Sequence, residues 1–184
     1  MEYVQDVFGM PERLANCEAG SWCKLARLIR SFGQRRVSRV DVAQLPFNRL
    51  IGLEPVAANG GFLVSLPDGP QYTNHLGTVH ACALLAVAEV GSGAFLLCRL
   101  GDAGGFVPVV RRLEAKFRRR ASGRVSARAT ATDEEVARWA SDLAGRGRVT
   151  ARVPVEVVDA ASTVVLSATV EWFIARGNTE AEPS

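Results

Sequence analysis

The chain has 184 residues, 48% of them apolar and 22% charged, a composition inside the range of soluble globular proteins and sufficient for one real core. Its four cysteines, Cys17, Cys23, Cys82 and Cys98, have neither the pairwise spacing of a sulfur zinc site nor the density of a disulfide scaffold, so they read as reduced packing residues. Met1 to Met10 contains Glu2 and Asp6 and no basic patch followed by an apolar core; no secretory signal is expected there, and the expected location is cytoplasmic.

The formal net charge is +3, and much of the positive charge falls in Arg111, Arg112, Lys116, Arg118, Arg119, Arg120 and Arg124. Such a cluster suits either phosphate, gripped by the planar guanidinium fork, or a solvated sheet face. Nucleic acid is not an expected partner, because Phe117 is the only aromatic near these arginines and stacking needs more.

Along the chain, Trp22, Leu25, Ala26, Leu28, Ile29 and Phe32 recur at helical spacing opposite Lys24, Arg27 and Arg30, which predicts an amphipathic helix over residues 12–32. Packing on the sheet is its expected fate, with a membrane surface as the alternative. Residues 33–48 read as a connection. Two short apolar stretches, Arg49 to Val56 and Phe62 to Leu66, flank Ala58-Asn59-Gly60-Gly61, a hairpin signal. A long apolar helix follows from Ala81 to Cys98. After it come strands over 106–118 and 124–132, a charged helix over 133–143, and strands over 148–158 and 163–174.

The last two strands alternate plainly. Val149, Ala151, Val153, Val155 and Val157 share one face of the first, and Leu166, Ala168, Val170, Trp172 and Ile174 one face of the second. Pro154 points the other way, which suggests a bulge or an edge. Two strands, a buried helix and four strands predict an α+β hotdog fold, an antiparallel sheet wrapped around a long central helix. The expected organisation is a helical extension and connection over 1–48, the hotdog domain over 49–176 and a flexible tail over 177–184.

From Ala81 to Cys98 the helix is apolar or small at every position except Glu89, so it should be surrounded by protein. Its length invites a transmembrane reading, against which stand Glu89, the Gly91-Ser92-Gly93 cluster and the neighbouring strands. A carboxylate in such a helix is costly to bury ionised and tends to persist for a partner or a function. Glu89 is therefore the leading catalytic candidate, with a structural pairing to an arginine as the plain alternative. Immediately before the helix stand Asn74, His75, Gly77, Thr78 and His80. Gly77 permits a tight turn, Thr78 can cap, and the first helical amides are then unpaired donors able to hold a thioester oxyanion. The two histidines could instead hold a metal, but no third ligand is evident and none is expected.

Asn74-His75-Leu76-Gly77-Thr78-Val79-His80-Ala81, followed by Ala88-Glu89, resembles the Asn-x-x-Gly-Thr-x-His-Gly and Ala/Val-Asp/Glu signature of PaaI-type hotdog acyl-CoA thioesterases. Leu113 to Gly123 is similar to the strand and Pro-Ala-x-x-Gly turn of that family. The resemblance covers roughly residues 48–175, and the N-terminal helix resembles an extension in some bacterial members. It implies that Glu89 is the general base or nucleophile. The Ala81 amide would polarise the thioester carbonyl, Asn74 and His80 would shape the site, and His75, Gly77 and Thr78 would border the substrate. CoA phosphates would lie near Arg118, Arg119, Arg120 and Arg124, and no cofactor is implied. The chain departs from the pattern at three places: Ala81 replaces a glycine, Val107 to Val110 offers no Ser or Thr, and Arg119 or Arg120 stands where proline is common.

Ala81 and Glu89 are eight residues apart, roughly 12 Å along a helix axis. One helix cannot bring both to one carbonyl, whereas a two-fold partner can supply its own Glu89. The expected assembly is thus a homodimer with shared sites, further pairing to a tetramer remaining open. The expected function is hydrolysis of an acyl-CoA or acyl-carrier thioester. The alternatives are a hotdog β-hydroxyacyl-thioester dehydratase or hydratase using His75 with Glu89, and a non-catalytic acyl-CoA-binding hotdog.

Overall fold

The computed structural model describes residues 42–56, 61–101 and 105–176. The helix expected over 12–32, Cys17 and Cys23, and the tail from Gly177 lie outside them. In chain order the elements are α1 (Pro46–Leu50), β1 (Glu54–Pro55), β2 (Phe62–Leu66), α2 (Ala81–Leu100), β3 (Phe106–Phe117), β4 (Val125–Ala129), α3 (Asp133–Arg146), β5 (Arg148–Val158) and β6 (Val164–Arg176). All six strands form one antiparallel sheet in the order β1-β2-β4-β5-β6-β3. This is the hotdog arrangement predicted from the element order.

The alternation of β5 and β6 places Val153, Val157, Val170 and Ile174 in the core beside α2's Val87, Ala88 and Leu96. α3 adds Val136, Trp139 and Leu143 to the same core. It is bounded by a reciprocal capping box, Thr132 with Glu135, and by Gly147 in the left-handed conformation at φ 68°.

Three expectations are corrected. α1 occupies part of the stretch read as a connection and a strand: Pro46 opens it, as proline does at a first helical position, and the strand shrinks to Glu54–Pro55. Pro154 lies neither at an edge nor at a bulge, since β5 is flanked by β4 and β6 and its irregularity falls at Val157/Val158. Pairing with β4 ends at Ala129↔Val155, and the Pro154 carbonyl accepts from Thr130 N–H just past that end. The donor that proline lacks would point to this same side, where no strand continues.

The third correction concerns α2, whose N-terminal half the described residues do not surround. Leu84, Val87, Ala88, Gly91 and Ser92 are buried, but Cys82 is exposed and Leu85, Ala86 and Glu89 are half-buried. Cys82 and Cys98 are free thiols, exposed rather than packed. The reason is geometric: α2 lies over β2, β4 and β5 and only grazes β3, so an apolar stripe at i, i+3, i+4, i+7 faces outward. By length and composition α2 could cross a bilayer, but it is the helix on which the sheet core is built.

Candidate functional site

Residues 70–80 form an irregular loop tied down from three directions. Tyr72 donates its hydroxyl to the Ile51 carbonyl at 2.9 Å, its backbone carbonyl accepts from His80 N–H at 2.7 Å, and Val79 N–H reaches the Ala121 carbonyl at 2.9 Å. The β3–β4 turn is thereby held against the loop that opens α2, so the two stretches carrying the family resemblance meet. A cavity of about 50 Å³ beside them is walled by Leu66, Tyr72, Thr73, Val79 and Gly123. It has room for ordered water and not for an acyl chain.

Inside the loop, Asn74 is the organiser. Its Oδ1 accepts from Leu76 N–H at 2.9 Å and Thr78 N–H at 3.2 Å, its Nδ2 donates to Thr78 Oγ1 at 3.1 Å, and its own N–H reaches the Thr78 carbonyl at 2.8 Å. Gly77, at φ +72°, supplies the left-handed residue this turn requires. Thr78 is consumed by Asn74 and does not cap the helix. The cap is His80, extended at φ −66° and ψ 142°, whose Nδ1 accepts from Cys82 N–H at 3.1 Å.

That cap changes the expected set of free donors. Ala83 and Leu84 N–H both bond the His80 carbonyl, and Cys82 N–H bonds the His80 side chain. Ala81 N–H alone has no hydrogen-bond partner among the described residues, and Ala81 is exposed. A single backbone donor at the positive end of a 20-residue helix remains to meet an incoming oxygen.

Glu89 stands two turns further along. Its carboxylate makes no hydrogen bond or ion pair among the described residues, so none of the arginines described there pairs with it. Burial pushes its pKa up from the ordinary 4.5, because the ionised form loses hydration that nothing replaces. No group of three His, Cys, Asp or Glu side chains converges among the described residues.

The arginines separate into two sets. Arg124 is committed to Glu54 at 2.6 Å and Ser65 at 2.8 Å, and Arg118 Nε donates to Ser167 Oγ at 3.1 Å. Arg119 and Arg120 are exposed and form no ion pair among the described residues, at the turn that Val79 holds. On the outer sheet face, Arg111 stacks over Phe173 and Arg128 pairs with Glu156, as a solvated face would have it. Sequence reasoning missed Tyr72, the Ala121 carbonyl and His80's role as cap, since each acts through a backbone contact that leaves no residue-type signature.

Residues 33–174 match the model of a family described as a domain of unknown function, DUF4442. Among curated proteins none matches. A Pseudomonas aeruginosa protein of unknown function, named a "Probable Thioesterase", has 23% identity and a TM-score of 0.61, over 74% of this chain and 91% of that one. A Chlorobaculum tepidum protein of unknown function has 19% identity and a TM-score of 0.64, over 73% and 88%. A Bacillus halodurans protein, solved with CoA, has 18% identity and a TM-score of 0.53, over 82% of each chain. The chain therefore belongs to the DUF4442 family and has the hotdog fold of its thioesterase-superfamily neighbours.

Proposed function

We propose that this protein is a thioesterase that hydrolyses an acyl-CoA or acyl-carrier thioester to a free acid and a thiol. The observation that carries the reading is a half-buried carboxylate, Glu89, unpaired among the described residues, on the same helix as an N–H at Ala81 that none of them occupies. Glu89 acts as base or nucleophile. As base it takes a proton from water, the water oxygen bonds the thioester carbon, and the oxyanion is held by Ala81 N–H. Collapse expels the thiolate, which takes the proton back from Glu89. Asn74, Gly77 and Thr78 hold the loop, His80 holds the helix start, and His75 borders the entrance. Arg118, Arg119 and Arg120 face the phosphates of CoA; the CoA in the Bacillus halodurans relative and the resemblance to PaaI-type enzymes support that partner.

The active unit is a homodimer. Ala81 and Glu89 are separated by about 12 Å along α2, and the open stripe of Cys82, Leu85 and Ala86 between them suits a second copy bringing its own Glu89. The test is subunit complementation. Ala81→Pro deletes the donor at a first helical position that tolerates proline, after a residue that is already extended, and Glu89→Gln deletes the base. Each alone should be inactive in a thiol-release screen across acyl-CoA chain lengths. Mixed with subunit exchange, half the dimers are hybrids with one intact site of two, so about a quarter of wild-type activity returns. No recovery despite demonstrated exchange would sink the shared site, and full activity in Glu89→Gln would sink the thioesterase reading. Hydration of a crotonyl thioester without thiol release would point to a hydratase instead.

A further inference from the structure

The Gly91-Ser92-Gly93 run takes no part in the chemistry above, yet it fastens α2 closely to the sheet. Gly91 lies on the far side of the helix from Glu89, two residues and about 200° on. A Cβ there would stand 2.6 Å from the Ala127 Cβ of β4 and 3.5 Å from Val64 Cγ2 of β2. Ser92 and Gly93, at i+3 and i+4 from Glu89, lie on Glu89's own face one turn further. There Trp172 of β6 closes the stripe that is open nearer the N-terminus: a Cβ on Gly93 would meet the indole at 3.3 Å.

Ser92 is fully buried. It accepts from Trp172 Nε1 at 2.8 Å and donates to the Glu89 carbonyl at 2.7 Å. An alanine would suit a buried helix better, since a serine brings a polar group that must be satisfied and tends to bend the helix by bonding back to it. Two buried polar groups joined in this way define one arrangement of helix on sheet, whereas apolar packing alone admits several.

We propose that the Gly91-Ser92-Gly93 seat and Trp172 position Glu89, the glycines setting the height of α2 above the sheet and the Trp172–Ser92–Glu89 chain setting its rotation and axial register. Ser92 and Trp172 are positioning residues, acting through the backbone of the turn that carries the carboxylate. The inference rests on the catalytic reading of Glu89.

The experiment compares Ser92→Ala and Trp172→Phe with Val153→Ala, a core truncation on β5 at a fully buried site, all in the full chain. Two quantities are read: kcat and KM on whichever acyl-CoA the wild type cleaves, and the titration of the Glu89 carboxyl by carbon-detected NMR. Loosening the seat should lower kcat about ten-fold or more, an ångström of misplacement sufficing, with KM within about two-fold. It should also shift the Glu89 titration. Val153→Ala should lose stability while leaving kcat and the titration in place. An inactive Glu89→Gln beside fully active Ser92→Ala and Trp172→Phe overturns the seat alone, as does an unmoved Glu89 titration. Retained kcat in Glu89→Gln overturns the catalytic reading and the seat's function with it.

Discussion

The imidazole Nδ1 of His80 accepts a hydrogen bond from the backbone N–H of Cys82 at 3.1 Å. An acceptor at Nδ1 requires that the ring proton sit on Nε2, and the bond removes Cys82 N–H from the donors at the helix start. His80 thereby leaves Ala81 N–H as the one unspent donor at the helix start among the described residues. In the mechanism proposed above its part is that of a cap and needs no contact with the reacting atoms.

His80→Asn should accordingly keep most of the stability and activity, because asparagine is among the best caps. His80→Leu removes the acceptor and should cost about 1 kcal/mol in denaturant unfolding, with a fall in kcat. Equal, severe inactivation in both variants would mean that the imidazole itself meets the substrate.

Glu89 gives a pH signature in stability as well as activity. Its folded pKa is raised above 4.5, so the folded state binds the proton more tightly than the unfolded chain. The protonated side chain therefore costs least below about 4.5, and stability is lost as pH rises through the folded value. Glu89→Gln should be more stable than wild type at neutral pH, with the difference vanishing in acid. Denaturant unfolding from pH 4 to 8 measures this, and a pH-independent difference contradicts it.

Gly91→Ala should be destabilising in spite of alanine's better helix propensity. The new Cβ would stand 2.6 Å from Ala127 Cβ, an overpacking that typically costs about 1–3 kcal/mol. Ala127→Gly in the same chain should restore much of the loss, and a double-variant cycle of unfolding energies reads the coupling.

Neutralising Arg118, Arg119 and Arg120 together should raise KM for CoA thioesters more than for a short thioester lacking the nucleotide. Arg124→Gln should have a smaller effect on KM, since Arg124 is already held by Glu54 and Ser65. Equal changes on both substrates would refute phosphate recognition at this turn.

Much of the fold was legible from periodicity. The five valine and alanine positions of β5 and the matching five of β6 are all buried, and α2 begins at the residue expected and ends two later. What was not legible depends on neighbours remote in sequence. An all-round apolar helix reads as enclosed, and only the sheet order, with β3 at the far edge, shows which stripe of α2 the described residues leave bare. By residue type Thr78 is the expected cap and His80 is not. Asn74, four residues earlier, takes Thr78 and leaves the cap to His80. The cost of Pro154 vanishes because β4 ends at Ala129, a length that nothing near Pro154 encodes.

Among the described residues β3 has one free margin. It pairs with β6 from Phe106↔Arg176 to Phe117↔Leu166 and with no described strand on its other side. In an antiparallel ribbon successive amides point to alternate sides, so in a lone chain every second β3 amide exchanges its hydrogen with solvent freely while those between are slow. A second copy zipped along that margin would slow both sets together. Amide hydrogen exchange on this one strand thus reports whether two chains have met, with no substrate needed and before any activity is known.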